Sequence, residues 1–293
     1  MVINLKQMLE VAGKHHFAVG AFNTTDSNLF RACVEAAEAS QAPCIIQADP
    51  NEFNYSTADF YTYVRQRLEK SPVPFVLHLD HGTTLEQCVK AIQAGFTSVM
   101  LDGSKLSFEE NAELTRKVTE LAHMADVSVE GELGTIGLAM HSDEGGGEKV
   151  IYTEPRDVVE FVKRTGVDAL AVSIGTAHGI YPKGRKPEIR LDLLKQLEAV
   201  SAVPLVIHGG SDNPDEEIAE ACRIGVRKVN VSSDIKMAFA KKAQEIFNAG
   251  QFFTPIKVYP ACLEVVRDVI SHKMAVFGSV DKAYCYRQGA AGA

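Results

Sequence analysis

Short runs rich in β-branched and aliphatic residues alternate with longer stretches whose apolar positions recur at helical spacing, and this alternation fills most of the chain. The runs begin at Phe17 ("FAVGAF"), Pro43 ("PCIIQA"), Pro74 ("PFVLHL"), Thr97 ("TSVML"), Val127 ("VSVEGE"), Asp168 ("DALAVS"), Pro204 ("PLVIHG") and Arg227 ("RKVNVS"). Between them lie helical patterns such as "SNLFRACVEAAEAS", with Asp26 as its N-cap, "TLEQCVKAIQAG", ending on Gly95, and "DEEIAEACRIG", ending on Gly225. Eight strand-then-helix units in roughly 250 residues predict an α/β fold, a (β/α)8 TIM barrel. The whole of residues 1–293 is expected to form one barrel domain, with about 255–293 as an appended C-terminal helical segment and tail. A doubly wound sheet would place a glycine-rich turn after its first strand, and "AFNTTDS" has none.

In such a barrel, reactive residues sit at the C-terminal ends of the strands. Polar residues fall there in this chain: Asn23 after the first run, Gln47 and Asp49 after the second, Asp80 and His81 after the third, and Asp102 after the fourth. Glu130 and Glu132 end the fifth, and His178, His208 and Asn230 follow or end the sixth, seventh and eighth. Of nine histidines, these three come from different strands and would converge on one mouth, which is the geometry of a divalent-metal site with an open position, zinc being the usual ion. Asp80 would stand beside the ion. Asp102 and Glu132 would orient imidazole N–H groups or hold a second cation, and His78, two residues before Asp80 on the same strand face, is either a core residue or a support for the site. His15, His16, His123 and His272 are expected at the surface.

The loops after the seventh and eighth strands, "HGGSDNPDEE" and "NVSSDIKMAFAKK", each run from a strand end through small residues into a helix start. Their backbone N–H groups suit a phosphate. Gly209, Gly210, Ser211, Ser232 and Ser233 form the expected cradle, and Gly179 and Lys183 add to it from the loop after the sixth strand.

Composition narrows the partners. The chain is 46% hydrophobic and 23% charged, with a net charge of −8 and no basic run, so nucleic acid is not an expected ligand. The N-terminus lacks the features of a signal peptide and no run of about 18 apolar residues occurs, so neither membrane insertion nor export is expected and the cytoplasm is the simplest location. Six cysteines are scattered without a C-x-x-C pair, which fits reduced, buried thiols.

Read in order, "LHLDHG", "GFTSVMLDGS", "FEENAELTRKV", "VEGELG", "GVDALAVSIGTAHGIY", "VPLVIHGGSD" and "KVNVSSDIKMAF" closely resemble the class II, zinc-dependent ketose-bisphosphate aldolases of the fructose- and tagatose-1,6-bisphosphate type. The resemblance runs from about Asn4 to Lys282. It implies that His81, His178 and His208 ligate zinc, and that Asp80 exchanges the proton of the ketose C4 hydroxyl. By the same resemblance Asp102 and Glu132 match an alternative or second cation position. Gly179, Gly209, Ser211, Asn230 and Ser233 match the positions that hold the dihydroxyacetone phosphate half, where a monovalent cation (Na+ or K+) also sits. The implied reaction is reversible retro-aldol cleavage of a ketose 1,6-bisphosphate or ketose 1-phosphate to dihydroxyacetone phosphate and an aldehyde such as glyceraldehyde 3-phosphate, with zinc stabilising the enediolate and no lysine Schiff base. Homodimers or homotetramers are common in the family.

Three departures bear on the substrate. Where fructose-bisphosphate members usually carry Gln-x-Ser after the second strand, this chain reads "QAD", placing Asp49 near the expected distal phosphate. The C-terminal segment offers Lys257 where those relatives have an arginine. The loop after the fifth strand, "GLAMHSDEGGGEKV", contains Gly145 to Gly147 and offers Asp143, Glu144 or Glu148 as the acid acting at the enediolate carbon. Asn23, Gln47, Asp49 and Lys257 are the candidate distal contacts. A non-catalytic accessory barrel subunit and a zinc hydrolase on the same fold are the alternative functions.

Overall fold

The structure is a computed structural model that describes residues 1–140, 147, 149–182, 188–250 and 254–287. The strands are β1 (Val19–Asn23), β2 (Cys44–Ala48), β3 (Phe75–Gly82), β4 (Ser98–Leu101), β5 (Ser128–Leu133), β6 (Gly137–Leu138), β7 (Ala169–Val172), β8 (Ala177–His178), β9 (Leu205–Ile207) and β10 (Val226–Val231). Eight of them pair in parallel and close into a barrel in the order β1, β10, β9, β7, β5, β4, β3, β2. These are the eight runs of the alternation. The remaining pair, β6 and β8, forms a separate two-stranded parallel sheet in the loops after β5 and β7, which the alternation does not reveal.

The helices are α1 (Leu5–Lys14), α2 (Ser27–Ala39), α3 (Pro50–Glu69), α4 (Leu85–Gln93), α5 (Phe108–His123), α6 (Pro155–Thr165), α7 (Leu191–Val200), α8 (Asp215–Ile224), α9 (Ser233–Asn248) and α10 (Pro255–Val276), followed by a 3-10 turn at Lys282–Tyr286. Asp26 caps α2 as expected, its carboxylate accepting from the N–H groups of Asn28 and Leu29. None of the helices is long and apolar enough to cross a membrane among the described residues. All six cysteines are buried and free.

The core has two parts. Outward-facing strand residues such as Phe75, Leu77, Leu79 and Val129 pack against the ring of helices. Inside the barrel, Val19, Ala21, Ile45, Val76, Met100, Ala169, Ala171 and Val206 form an apolar layer, closed from below by Leu5, Met8, Leu9 and Ala12 of α1. That helix stands outside the eightfold repeat. Its capping box, in which Asn4 and Gln7 exchange hydrogen bonds between side chain and backbone, is the local signal that starts it.

The barrel interior also holds a fully buried ion pair. Lys228 Nζ on β10 lies 2.9 Å from Glu130 Oε2 and 3.2 Å from Oε1 on β5, and neither side chain reaches solvent. His78 approaches the same carboxylate, with Nε2 3.7 Å from Glu130 Oε2 and Nδ1 2.8 Å from Ser98 Oγ. Burial, then the neighbouring Lys228, hold the His78 pKa well below the ordinary histidine range, so this imidazole is neutral. His78 therefore belongs to the polar layer of the barrel, and it is not a member of the histidine cluster that could hold a metal.

Removing one partner of a buried pair leaves an uncompensated charge. Lys228→Met is expected to lower unfolding stability by about 3–5 kcal/mol, measured by urea denaturation, and a loss below about 1 kcal/mol would mean that Glu130 needs no cation.

Candidate active site

The question raised by "LHLDHG" is how Asp80 and His81, adjacent on one strand, can share a site when successive strand side chains point to opposite faces. The answer is a break in β3. His81 takes φ +47°, and the register against β4 shifts between Leu79 and Gly82. This bulge turns His81 inward beside Asp80 instead of toward the helices. Gly82 allows the close return of the chain, since a Cβ there would lie 2.8 Å from the Met100 carbonyl oxygen and 2.9 Å from Leu79 Cδ2.

His81, His178 and His208 are buried and meet, with one ligating atom from each lying within 4.8 Å of the others. Ring centroids are 4.6 Å apart for His81 and His208, and 4.9 Å for His81 and His178. His81 Nε2 faces His208 Nδ1 at 2.9 Å, while the opposite nitrogen of each ring is taken by a carboxylate: His81 Nδ1 by Asp102 Oδ2 at 2.9 Å and His208 Nε2 by Glu130 Oε1 at 2.7 Å. Two imidazoles each held by a carboxylate, with their other nitrogens aimed at one another, form a group that could hold a metal ion. The third comes from outside the barrel strands. His178 lies on β8, where its carbonyl oxygen accepts from the Ala139 N–H at 2.7 Å, so the small β6–β8 sheet fixes its place in the cluster.

Carboxyl groups crowd the same place. Burial works against charge on His81, but Asp80, Asp102 and Glu132 outweigh it and push its pKa up to about 10. Burial also opposes ionisation of Asp102, yet hydrogen bonds from His81 and Ser104 hold its pKa well below the usual carboxylate range. Glu132 behaves oppositely. Burial, then the charge of Asp102, raise its pKa well above the usual value; its Oε2 has no hydrogen-bond partner among the described residues and stands 4.0 Å from His81 Nδ1. His81, Asp102 and Glu132 form a second group with metal-ligand spacing.

Asp80 is fully buried and held by three amides. Asn230 Nδ2 donates to Oδ1 at 3.0 Å, and Gln47 Nε2 and Asn23 Nδ2 donate to Oδ2 at 3.0 and 3.5 Å. Gln47 also donates to Asn23 Oδ1 at 2.7 Å. Both side chains are buried, and their N–H groups donate to Asp80 and its neighbours. Asn23 in turn is anchored by Glu52 Oε2 at 2.9 Å, a helix residue that the strand-end reading missed.

On the other side of the mouth, Gly209 and Gly179 have φ of +63° and +100°. A Cβ at Gly209 would lie 2.4 Å from the Ala177 carbonyl oxygen, and one at Gly179 2.4 Å from that of Met140, so both loops come together only because these residues are glycines. Gly210 donates its N–H to Asn230 O, and Ser211 Oγ accepts from the Asp234 N–H, whereas the N–H groups of Gly209 and Ser211 find no internal acceptor among the described residues. Ser233 opens α9. Lys257 is exposed in the first turn of α10 and is not among the described residues lining the cavity beside His81. Asp143, Glu144, Glu148 and Lys183 lie outside the described residues.

Comparison with known proteins identifies the family. Residues 3–282 match the family described as fructose-bisphosphate aldolase class-II. The fructose-bisphosphate aldolase of Staphylococcus epidermidis is 36% identical over 96% of this chain and 99% of its own, and that of Geobacillus stearothermophilus is 37% identical with the same coverage. The crystal structure of the YdjI aldolase from Escherichia coli K12 superposes with a TM-score of 0.85 at 31% identity, covering 97% of this chain and all of that one. The chain therefore belongs to the class II fructose-bisphosphate aldolase family of metal-dependent lyases.

Proposed function

We propose that this protein reversibly cleaves a phosphorylated ketose, a 1,6-bisphosphate or a 1-phosphate, between C3 and C4, giving dihydroxyacetone phosphate and an aldehyde. His81, His178 and His208 would hold a zinc ion, and Asp80 is the acid/base. The observation that carries this reading is the Asp80 carboxylate, gripped by three amides and standing 3.9 Å from His81 Nε2 and 4.0 Å from His208 Nδ1. In the cleavage direction Asp80 takes the C4 hydroxyl proton as the C3–C4 bond breaks, and in the synthetic direction it returns that proton to the aldehyde oxygen. Asn230, Gln47 and Asn23 fix the carboxylate in place for this transfer. A divalent ion held by the three imidazoles would act as a Lewis acid and supply stabilisation of the negative charge left on the substrate by the cleavage. Gly179, Gly209, Ser211 and Ser233 bind the phosphate of the dihydroxyacetone half through backbone N–H groups and hydroxyls, with Asn230 beside them. A monovalent cation is proposed to accompany that phosphate, and Asp102 with Glu132 to offer a second divalent position. Complete retention of Asp80 and its amide clamp weighs against a non-catalytic accessory subunit, which would have no use for a positioned base.

Three measurements test the assignment. Zinc-loaded protein is expected to release dihydroxyacetone phosphate from a panel of ketose 1-phosphates and 1,6-bisphosphates, and to stop when a chelator strips the ion. Asp80→Asn should lower kcat by about 10²–10⁴ with bound zinc unchanged. Phosphate release without aldehyde would instead identify a hydrolase. Asp102→Ala is expected to weaken zinc binding by about 10–100-fold in competition with a chromophoric chelator, because the His81 ring loses the carboxylate that orients it; unchanged affinity would remove Asp102 from the metal centre.

A further inference from the structure

Next to the histidine cluster is a cavity of about 330 Å³, walled by residues that follow β2, β3 and β4. In the barrel order these strands lie across the mouth from β7, β9 and β10, whose loops carry the glycine and serine cradle. A ligand with its phosphate in that cradle and its middle carbons at the histidines would extend its far end into this cavity.

Asp49 dominates that end. It is 3% exposed, lines the cavity, and caps α3: Oδ1 accepts from the N–H groups of Asn51 at 2.7 Å and Glu52 at 2.9 Å. Oδ2 accepts no hydrogen bond among the described residues. The Asp49 N–H donates to Glu52 Oε2 at 3.1 Å, completing a reciprocal box, and the neighbouring ammonium of Lys236 lies 2.7 Å from Glu52 Oε1. Burial, then the charge of Glu52, raise the Asp49 pKa to about 6, so the group is mostly ionised at neutral pH but short of donors. The N–H groups of Asn51 and Glu52 at the start of α3 bond to Asp49 and are not free to meet an incoming anion. Lys105 is the one ammonium among the described lining residues; it is exposed, and water screens it more than it screens the buried carboxylate. Thr83, Gln87 and Asn51 supply neutral polar groups to the same wall.

We propose that Asp49 sets the specificity for the far end of the substrate, and that this end is an uncharged, hydroxylated carbon chain: the substrate is a ketose 1-phosphate without a second phosphate. Asp49 accepts a hydroxyl hydrogen bond from the tail and repels a terminal phosphate. This inference rests on the aldolase reading for the placement of the first phosphate.

The test is direct binding by calorimetry to the zinc-loaded, full-length protein, using uncleavable open-chain analogues, hexitol 1-phosphate and hexitol 1,6-bisphosphate. Wild-type protein should bind the monophosphate at least about tenfold more tightly. Asp49→Ser and Asp49→Asn both keep an N-cap acceptor, so they are expected to fold, which their thermal midpoints will check. Each should shift the preference toward the bisphosphate by about tenfold or more. Equal or tighter binding of the bisphosphate by wild type, failure of both analogues to bind, or an unaltered preference in both variants would overturn the proposal. Dihydroxyacetone phosphate release from ketose 1-phosphates is measured alongside. Its absence would defeat the aldolase reading, while the binding preference still decides the role of Asp49.

Discussion

The site depends on one backbone irregularity. If β3 kept strict alternation through Phe75–Gly82, its inward face would offer His78 and Asp80, and His81 would point into the helix layer. The left-handed conformation at His81, a costly one for a residue with a side chain, places a carboxylate and an imidazole side by side at the mouth. Everything else at the mouth is arranged around that pair. Asp102 fixes one side of the His81 ring, His208 faces the other, and the amides of Asn23, Gln47 and Asn230 close on Asp80. The surrounding hydrogen bonds hold this strain in place.

Below the mouth, the barrel is filled in two ways. The lower layer is apolar and closed by α1, while the layer under the histidines is a network of Lys228, Glu130, His78 and Ser98. An entirely apolar filling would leave the His208 ring without a partner for its inner nitrogen. Glu130 joins support and site, since the carboxylate paired with Lys228 is the one bonded to His208. Burial, then the charges of His81 and Lys228, depress the His208 pKa, which favours the neutral imidazole that a metal ligand must be.

Much of this was legible in the sequence because period and position carry it. The eight apolar runs became the eight barrel strands, and the polar residues at their ends came to one mouth, as strand-end placement requires. The same rules concealed the rest. Alternation could place Asp80 but not His81, whose inward turn comes from a bulge. Lys228 sits inside an ordinary-looking strand, and only its shared face with Asn230 and Ser232, at two-residue spacing, hints that it points inward. Glu52 lies in the first turn of a helix, where an acidic residue is expected for capping alone, so nothing local announced its hydrogen bond to Asn23. The β6–β8 pair is too short to leave a periodic signal, and the fixing of His178 depends on contacts between two distant loops.

That small sheet bears on how the family can vary. The chain after β5 is tied at its base where Thr135 pairs with Ile151 and Gly137 with Gly147, and β6 is also hydrogen-bonded to the stretch carrying His178. An insertion at Gly137 or Leu138 would therefore move a histidine of the cluster. One imidazole of the site is thus held jointly by two loops far apart in the chain, so neither can be reshaped at this sheet without carrying the other with it.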